Sequence, residues 1–339
     1  MSNQEKNGSE ILLSIAVITY HHENYIRQAL DSILMQDVNF QYEIIIGEDF
    51  SPDNTRTILL EYYEKYPNKF KLILHDKNVG ATKNLYDVFM NCQGKYIALL
   101  EGDDFWTNPN KLQLQVDFLE EHNEYTGVSH DFEYVNKNGE HLSMSNEKQS
   151  NSAKEFTMDD FIKWEWPIQT ATLVFRNIFN NNKDEDFSII YTAHNIMADR
   201  TLAMLILKKS NILIINKVMS AYRYVLEKNG TNYTSQFEMP DKRKDIVGIT
   251  IDYINMLEKY LKSCSNYNFD YIKSQFVCEI IIETIKSHTF DSVKDLTEIL
   301  NRVSIKVKLI SLFHALEITA TYPLRKIKLY VSNLKDYKI

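Results

Sequence analysis

Lys95-Tyr96-Ile97-Ala98-Leu99-Leu100-Glu101-Gly102-Asp103-Asp104 is the stretch on which the reading of this chain turns. Lys95 to Leu100 is a short apolar run with no polar alternation, which predicts a strand buried on both faces. The run ends in three carboxylates within four residues. Like charges this close repel and raise each other's affinity for protons. Either the strand delivers them to a cation, or they sit in a solvated turn and cap the helix expected over Lys111 to Glu121. A hard ion such as Mg²⁺ or Mn²⁺ prefers oxygen ligands and would remove the repulsion.

The same grammar recurs upstream. Leu12 to Thr19, Tyr42 to Ile46 and Phe70 to Leu74 read as strands. Between them Asn24 to Gln36, Thr55 to Tyr66 and Thr82 to Asn91 carry apolar residues at helical spacing, the second stopping before Pro67. Strand–helix alternation at this interval predicts a doubly wound α/β domain: an open, mostly parallel sheet with helices on both faces. Ligands of such sheets lie beyond the carboxyl ends of the strands. There the sequence puts Thr19, Tyr20 and His21, then Glu48, Asp49 and Ser51, then His75 to Gly80 with Asn78, and lastly Glu101, Asp103 and Asp104.

Further along, Val128 to Val135 reads as a strand and residues 136–151 as a polar loop or hairpin. Phe156 to Trp164 reads as a helix, Ala171 to Phe175 as a strand and Ala198 to Lys209 as a helix. Ile212 to Ile215 and Ala221 to Tyr224 read as two short strands, and Glu227 to Pro240 as a polar loop. From about Lys242 the pattern turns helical throughout: Ile246 to Leu261, Tyr271 to Ser287, Val293 to Val303 and Val307 to Thr319. The expected organisation is a catalytic domain over residues 1–240 and a helical extension over 241–339. The end, Pro323 to Lys335, sets Arg325, Lys326, Lys328 and Lys335 among Leu324, Ile327, Leu329 and Val331. Such an end suits peripheral contact with an anionic membrane, or a last packing helix with a solvated face.

Composition narrows the function. The 339 residues carry 38 Lys and Arg against 46 Asp and Glu, a net charge of −8. No basic stripe with interleaved aromatics occurs in the first 240 residues, so a nucleic-acid partner is not expected. Cys92, Cys264 and Cys278 are far apart and odd in number, which argues against a disulfide framework or zinc site and for a reducing cytoplasm. Met1 to Glu10 is polar and unlike a signal peptide, and no apolar run approaches the ~20 residues of a membrane span.

Four motifs in order carry a resemblance to the family 2 glycosyltransferases: Ser14-Ile15-Ala16-Val17-Ile18-Thr19-Tyr20, Glu43 to Thr55 with Glu48-Asp49-Phe50-Ser51-Pro52-Asp53, Asn78-Val79-Gly80-Ala81-Thr82-Lys83-Asn84, and Gly94 to Trp106 with Glu101-Gly102-Asp103-Asp104. Asn108 to Leu119 resembles the continuation in one bacterial branch. The match runs over roughly residues 10 to 225. It implies a GT-A fold and metal-dependent, inverting transfer of a sugar of hexosyl type from a nucleotide-sugar, here a UDP-sugar. The acceptor implied is a hydroxyl of a glycan or lipid-linked acceptor in cell-surface polysaccharide synthesis, at the inner face of the membrane. Carried onto this chain, Asp49 meets the nucleotide base, with Thr19, Tyr20, Glu48, Asn78 and Lys83 lining the donor pocket. The family's D-x-D element reads Glu101-x-Asp103, with Glu101 towards the ribose and Asp103 and Asp104 towards Mn²⁺ or Mg²⁺.

The family's general base is an acid at the start of a later helix, and Ala198-Asp199-Arg200 stands there. An acceptor hydroxyl needs such a group to take its proton; Asp199 would otherwise cap its helix. Asp49 likewise suits a turn with Ser51, Pro52 and Asp53. Val218 to Arg223 resembles the family's closing strand, after which a His commonly follows; Val225 stands in its place. Arg223 is suited to a phosphate or to an ion pair. His21-His22, His130-Asp131, Trp106, Trp164 and Trp166 are further candidates for ligand contact, with turns or core packing as their ordinary roles. One rival is a sugar nucleotidyltransferase, but Thr19-Tyr20-His21-His22-Glu23 lacks the Gly-rich, Arg-bearing loop this needs. Another is a catalytically inactive relative acting as a glycan-binding or scaffold protein.

Overall fold

A computed structural model describes residues 11–143, 152–180, 185–226, 243–262, 267–287 and 290–321. The polar stretch 227–240, part of 136–151 and the basic end at 323–335 lie outside the described residues, as do residues 1–10. The chain divides into two compact units, Met1–Thr157 with Pro167–Tyr224, and Met158–Trp166 with Val225–Ile339.

The first unit is built on β1 (Leu13–Thr19), β2 (Tyr42–Glu48), β3 (Phe70–Leu74), β4 (Tyr96–Glu101), β5 (Phe105–Trp106), β6 (Gly127–Val135), β7 (Lys154–Phe156), β8 (Val174–Arg176) and β9 (Ile212–Arg223). They form one sheet in the order β3-β2-β1-β4-β8-β6-β9-β5, with β7 also on β9. The four strands predicted first are mutually parallel; β8 runs antiparallel between β4 and β6, and β9 lies parallel to β6. The helices α1 (Ile26–Leu34), α2 (Thr55–Lys65), α3 (Ala81–Phe89) and α4 (Lys111–Glu121) supply the crossovers. The apolar runs are what they promised to be: Leu13, Ile15, Val17, Ile44, Ile46, Ala98 and Leu100 sit in one core with Ala29, Leu30 and Ile33 of α1.

Several later boundaries differ from the sequence reading. Ala171 lies in a 3-10 turn, Thr170–Thr172, and the strand starts only at Val174. The stretch read as two short strands is one twelve-residue strand, β9, whose pairing with β6 slips on either side of Asp131. A bulge lets residues with broken alternation stay in one strand. Phe156 ends β7, so the following helix α5 is only Met158–Ile162. After α6 (Ile189–Thr192) and α7 (Ala198–Leu207) the chain completes β9.

The second unit contains α5 and the long helices α8 (Arg243–Lys262), α9 (Asp270–Ser287), α10 (Phe290–Asn301) and α11 (Ile305–Thr321). The sequence placed its boundary near residue 240; the units divide after Tyr224, and Met158–Trp166 belongs with the helices. The reason is aromatic packing. Phe161 meets Phe269 edge-on at 6.5 Å, and the buried Trp164 meets Tyr253 at 6.3 Å and Phe276 at 5.7 Å.

Candidate active site

β1 has β2 on one side and β4 on the other, so the strand order reverses at β1, and its carboxyl end is where open α/β sheets place their ligands. The three strands finish level. Thr19 pairs with Glu48, and Ile18 with Glu101. The residues after these positions therefore emerge together at one edge of the sheet.

The first half of the edge is a cradle around Asp49. Its carboxylate, 2% exposed, accepts from the backbone N–H of Val79 at 2.7 Å and of Gly80 at 3.0 Å. Asn78 also accepts from the Gly80 N–H. Gly80 has φ 90, a left-handed conformation glycine adopts without strain. Burial pushes the Asp49 carboxyl above its ordinary range, and the two N–H groups pull it part of the way back. Opposite it the loop after β1 is lashed to the loop after β2: His21 N–H donates to Ser51, His22 N–H to Thr55, and Glu23 N–H to Asp53. His21 and Phe50 take left-handed backbones, φ 61 and 58, which these bonds hold at a cost of about 1 kcal/mol each. Tyr20 is half-buried beside the His21 ring.

The second half is the acidic turn after β4. Thr19 Oγ1 lies 3.2 Å from His22 Nδ1, and His22 Nε2 lies 3.7 Å from an Asp103 oxygen. Gly102 makes this approach feasible, since a Cβ there would come within 2.6 Å of Thr19 Oγ1 and 2.9 Å of His22 Nδ1. Burial raises Glu101 well above the ordinary carboxylate range, and the charges of Asp103, Asp104 and Asp199 push the same way. Asp199, in the first turn of α7, is itself raised by burial, with Arg200 opposing. The charge of Asp199 thus reaches Glu101 from a segment almost one hundred residues further along the chain.

Other expected residues are placed differently. Asp104 is 1% exposed, and both its oxygens are engaged: one accepts from the Arg223 backbone N–H at 2.8 Å, the other from Gln169 Nε2 at 2.7 Å. Glu48 is fully buried, paired with Arg56 and accepting from Ser51 N–H, so it braces the second loop rather than lining the cradle. Lys83 pairs with Asp87 on its own helix, with its ammonium over Tyr86 and Tyr191. Among the described residues Arg223 makes no ion pair with a carboxylate: its guanidinium donates to the carbonyls of Asp103, Asn136 and Lys137 and to Gln28. Trp106 and Trp164 are core residues, Trp106 donating to Ala171 O, and neither offers a stacking face. His130 is buried too, though its Nε2 has no hydrogen-bond partner among the described residues. Sequence reading singled out neither Phe50 nor Gln169. Phe50, 51% exposed, stands beside Asp49 with Arg56 across its ring. Its signal was an aromatic residue between Asp49 and Ser51-Pro52; Gln169 had none.

Residues 14–182 match the family model described as Glycosyl transferase family 2. The chain belongs to the family 2 glycosyltransferases. It is 42% identical over 179 residues to an uncharacterized Mycobacterium tuberculosis protein, a match covering 53% of this chain and 46% of that one. It is 33% identical over 121 residues to Bacillus subtilis TuaG, named as a teichuronic acid biosynthesis glycosyltransferase, covering 35% and 47%. The chain spans about half the length of these curated relatives. Among solved structures it resembles S. aureus TarS 1–349 in complex with UDP-GlcNAc, with TM-score 0.58 and 18% identity, covering 88% of this chain and 84% of that one. The complex of the same protein with UDP gives TM-score 0.56. The fold is therefore GT-A, an α/β sheet domain, here with helices following.

The donor set fits a divalent cation in one respect: Glu101 and Asp103 supply hard oxygens in a turn burdened with like charge. Among the described residues, no group of three His, Cys, Asp or Glu side chains is arranged to hold a metal unaided. A bound ion would complete its shell with diphosphate and water oxygens, as Mg²⁺ ordinarily does.

Proposed function

We propose that this chain is an inverting glycosyltransferase. It moves a sugar of hexosyl type from a UDP-sugar to a hydroxyl of a glycan or lipid-linked acceptor in cell-surface polysaccharide synthesis. The observation that carries the reading is the strand-end arrangement: Glu101, next to Asp103 at the end of β4, feels the charge of Asp199 from the first turn of α7, while Asp49 at the end of β2 is held by Val79 and Gly80. Support for the donor comes from TarS, solved with UDP and with UDP-GlcNAc. TuaG's name supports a surface glycan.

The residues then have distinct tasks. Asp49 still has lone pairs for the base after accepting from Val79 and Gly80. Phe50 offers the base a ring face. Thr19 and Tyr20 close the other side, and Asn78 sets the Gly80 loop. Asp103, with Glu101, would hold Mn²⁺ or Mg²⁺, and that ion supplies charge stabilisation to the leaving diphosphate. Asp199 accepts the proton of the acceptor hydroxyl as its oxygen bonds to the anomeric carbon and the nucleoside diphosphate departs from the opposite face. A carboxyl raised towards neutrality is a better base for this step than an ordinary one.

The test pairs turnover with binding. Asp199→Asn is expected to lose at least ~100-fold in kcat while UDP with Mn²⁺ still raises the unfolding temperature. Asp103→Ala is expected to lose that rise. If the wild type shows neither a rise with any nucleoside diphosphate nor turnover with any nucleotide-sugar, the scaffold reading takes its place.

A further inference from the structure

The helix α11 is docked the wrong way round for an ordinary packing helix. Its buried side is Val307, Ser311 and Ala315, at 1%, 0% and 2% exposure. Its large apolar residues point outward: Ile305 is 75% exposed, Leu309 63%, Leu312 49% and Phe313 66%. They recur at i, i+4, i+7 and i+8, which is one continuous stripe along the helix. Isolated exposed apolar side chains need no explanation, but a contiguous stripe of this kind marks a surface that is covered when the protein works.

Charge identifies the cover. Residues 302–339 hold eight Lys and Arg against two Asp and Glu, a formal +6 at the end of a chain that is −8 overall. Arg302 and Lys306 are ion-paired at the surface with Asp252 and Asp270. The others are Lys308 and the five cations that follow Thr321. A second copy docked stripe to stripe would set two segments carrying Arg302, Lys306 and Lys308 against each other, and like charge would oppose the contact. An anionic lipid surface meets both demands, since it receives apolar side chains below its headgroups and attracts cations at them. No described helix is long and apolar enough to cross a membrane, so the helix would lie on the surface.

We infer that the stripe Ile305, Leu309, Leu312 and Phe313, with Lys308 on the same helix and in a stretch of net positive sequence, docks the chain on an anionic bilayer. Docking would hold the enzyme where a lipid-linked acceptor is anchored. The surface does not depend on that activity, and it is tested without it.

The full-length chain is sedimented with vesicles of phosphatidylcholine alone and with vesicles containing 30% phosphatidylglycerol, a fraction on the order of that in which polybasic surfaces bind. The inference expects binding to the anionic vesicles, weakened at least ~10-fold by raising salt from about 0.1 to 0.5 M. Leu309→Glu with Phe313→Glu is expected to weaken it by roughly 100-fold or more while circular dichroism and the UDP-induced shift stay at wild-type values. Wild type that remains in the supernatant with anionic vesicles overturns the inference. So does a double variant that binds as wild type does. A concentration-dependent dimer that the double variant abolishes, without vesicle binding, assigns the stripe to a second copy and overturns it as well. Loss of turnover with vesicle binding intact would count against the transferase reading alone.

Discussion

Arg223 is the residue whose replacement tests the construction of the site most sharply. It is 3% exposed, and its guanidinium makes four hydrogen bonds: Nε to Asp103 O at 2.8 Å, Nη1 to Asn136 O at 3.0 Å and Lys137 O at 3.1 Å, and Nη2 to Gln28 Oε1 at 2.7 Å. The cation also lies 4.4 Å from the centre of the Tyr25 ring. Arg223→Ala removes all of these and leaves three backbone carbonyls short of a donor. Bonds from a charged donor contribute about 1.5–3 kcal/mol apiece in truncations, and they do not add. Water reaches some of the freed carbonyls, so a total loss of about 3–5 kcal/mol is expected. Arg223→Lys keeps the charge near Tyr25 but cannot span carbonyls on opposite sides, and should lose about 2 kcal/mol. Equilibrium urea unfolding followed by circular dichroism measures both. The functional consequence is separate: the Nε bond fixes the backbone of Asp103, so even folded Arg223→Lys should respond less to UDP with Mn²⁺. Two results would refute the reasoning. One is Arg223→Ala within 1 kcal/mol of wild type. The other is Arg223→Lys with an unchanged ligand shift, which would show that Asp103 is positioned by something else.

Burial raises Glu101 and Asp104 well above ordinary carboxylate values, so the folded state holds these protons more tightly than the unfolded chain. Their contribution to stability is full below those values and is lost as pH rises through the folded ones. Thermal unfolding of the ligand-free protein should therefore show a falling midpoint as pH climbs above the ordinary carboxylate range, and Glu101→Gln should flatten the fall while abolishing turnover. Gly102→Ala should cost the UDP-induced shift, because its Cβ would push Thr19 and His22 apart; calorimetric titration with UDP and Mn²⁺ would expose an unaffected Kd. Lys111 is fully buried with its Nζ on Gln115 and over the Trp106 ring, and burial depresses its pKa well below the ordinary lysine value. Lys111→Met should stabilise the protein by about 1–2 kcal/mol in urea unfolding at neutral pH, and a loss of similar size would mean the ammonium has a role the packing hides.

The fold was legible wherever one local rule decided the outcome. Leu12 to Thr19, Tyr42 to Ile46 and Lys95 to Leu100 are continuous apolar runs, and only a parallel sheet covered on both sides buries every residue of such a run. The later strands were harder because their pairing is not local. β9 reads as two strands because residues 216 and 217 interrupt the apolar pattern, and its partner β6, some eighty residues earlier, accommodates them by a register shift. Propensity in a window cannot see a bulge that a distant strand creates. Likewise Met158–Trp166 looks like one more helix of the sheet domain. What draws it into the helical unit is Phe161 and Trp164 against Phe269, Tyr253 and Phe276, a set of contacts no spacing announces.

The site divides along the same line, and the division says how it works. Acids at strand ends were visible because strand direction alone aims them at one edge; which of them face a ligand was not, because that depends on who else arrives. Asp103 and Asp104 are neighbours of identical chemistry. Arg223 and Gln169, coming from β9 and from the turn before β8, take both oxygens of Asp104 into the protein and leave Asp103 at the His22 side. One carboxylate therefore anchors the turn, so that its neighbour can be held against repulsion from Glu101. Removing the anchor should disturb Asp103, the acid proposed to meet the ligand, without touching it: Asp104→Ala is expected to lose the Mn²⁺-dependent UDP shift as fully as Asp103→Ala does. The two differ in stability. Asp104→Ala frees the Arg223 N–H and Gln169 and should cost about 2–3 kcal/mol, whereas Asp103→Ala relieves like charge and should cost little. Equal unfolding midpoints for the two variants would mean that the two acids share one role, and that the anchoring bonds contribute nothing to holding the turn.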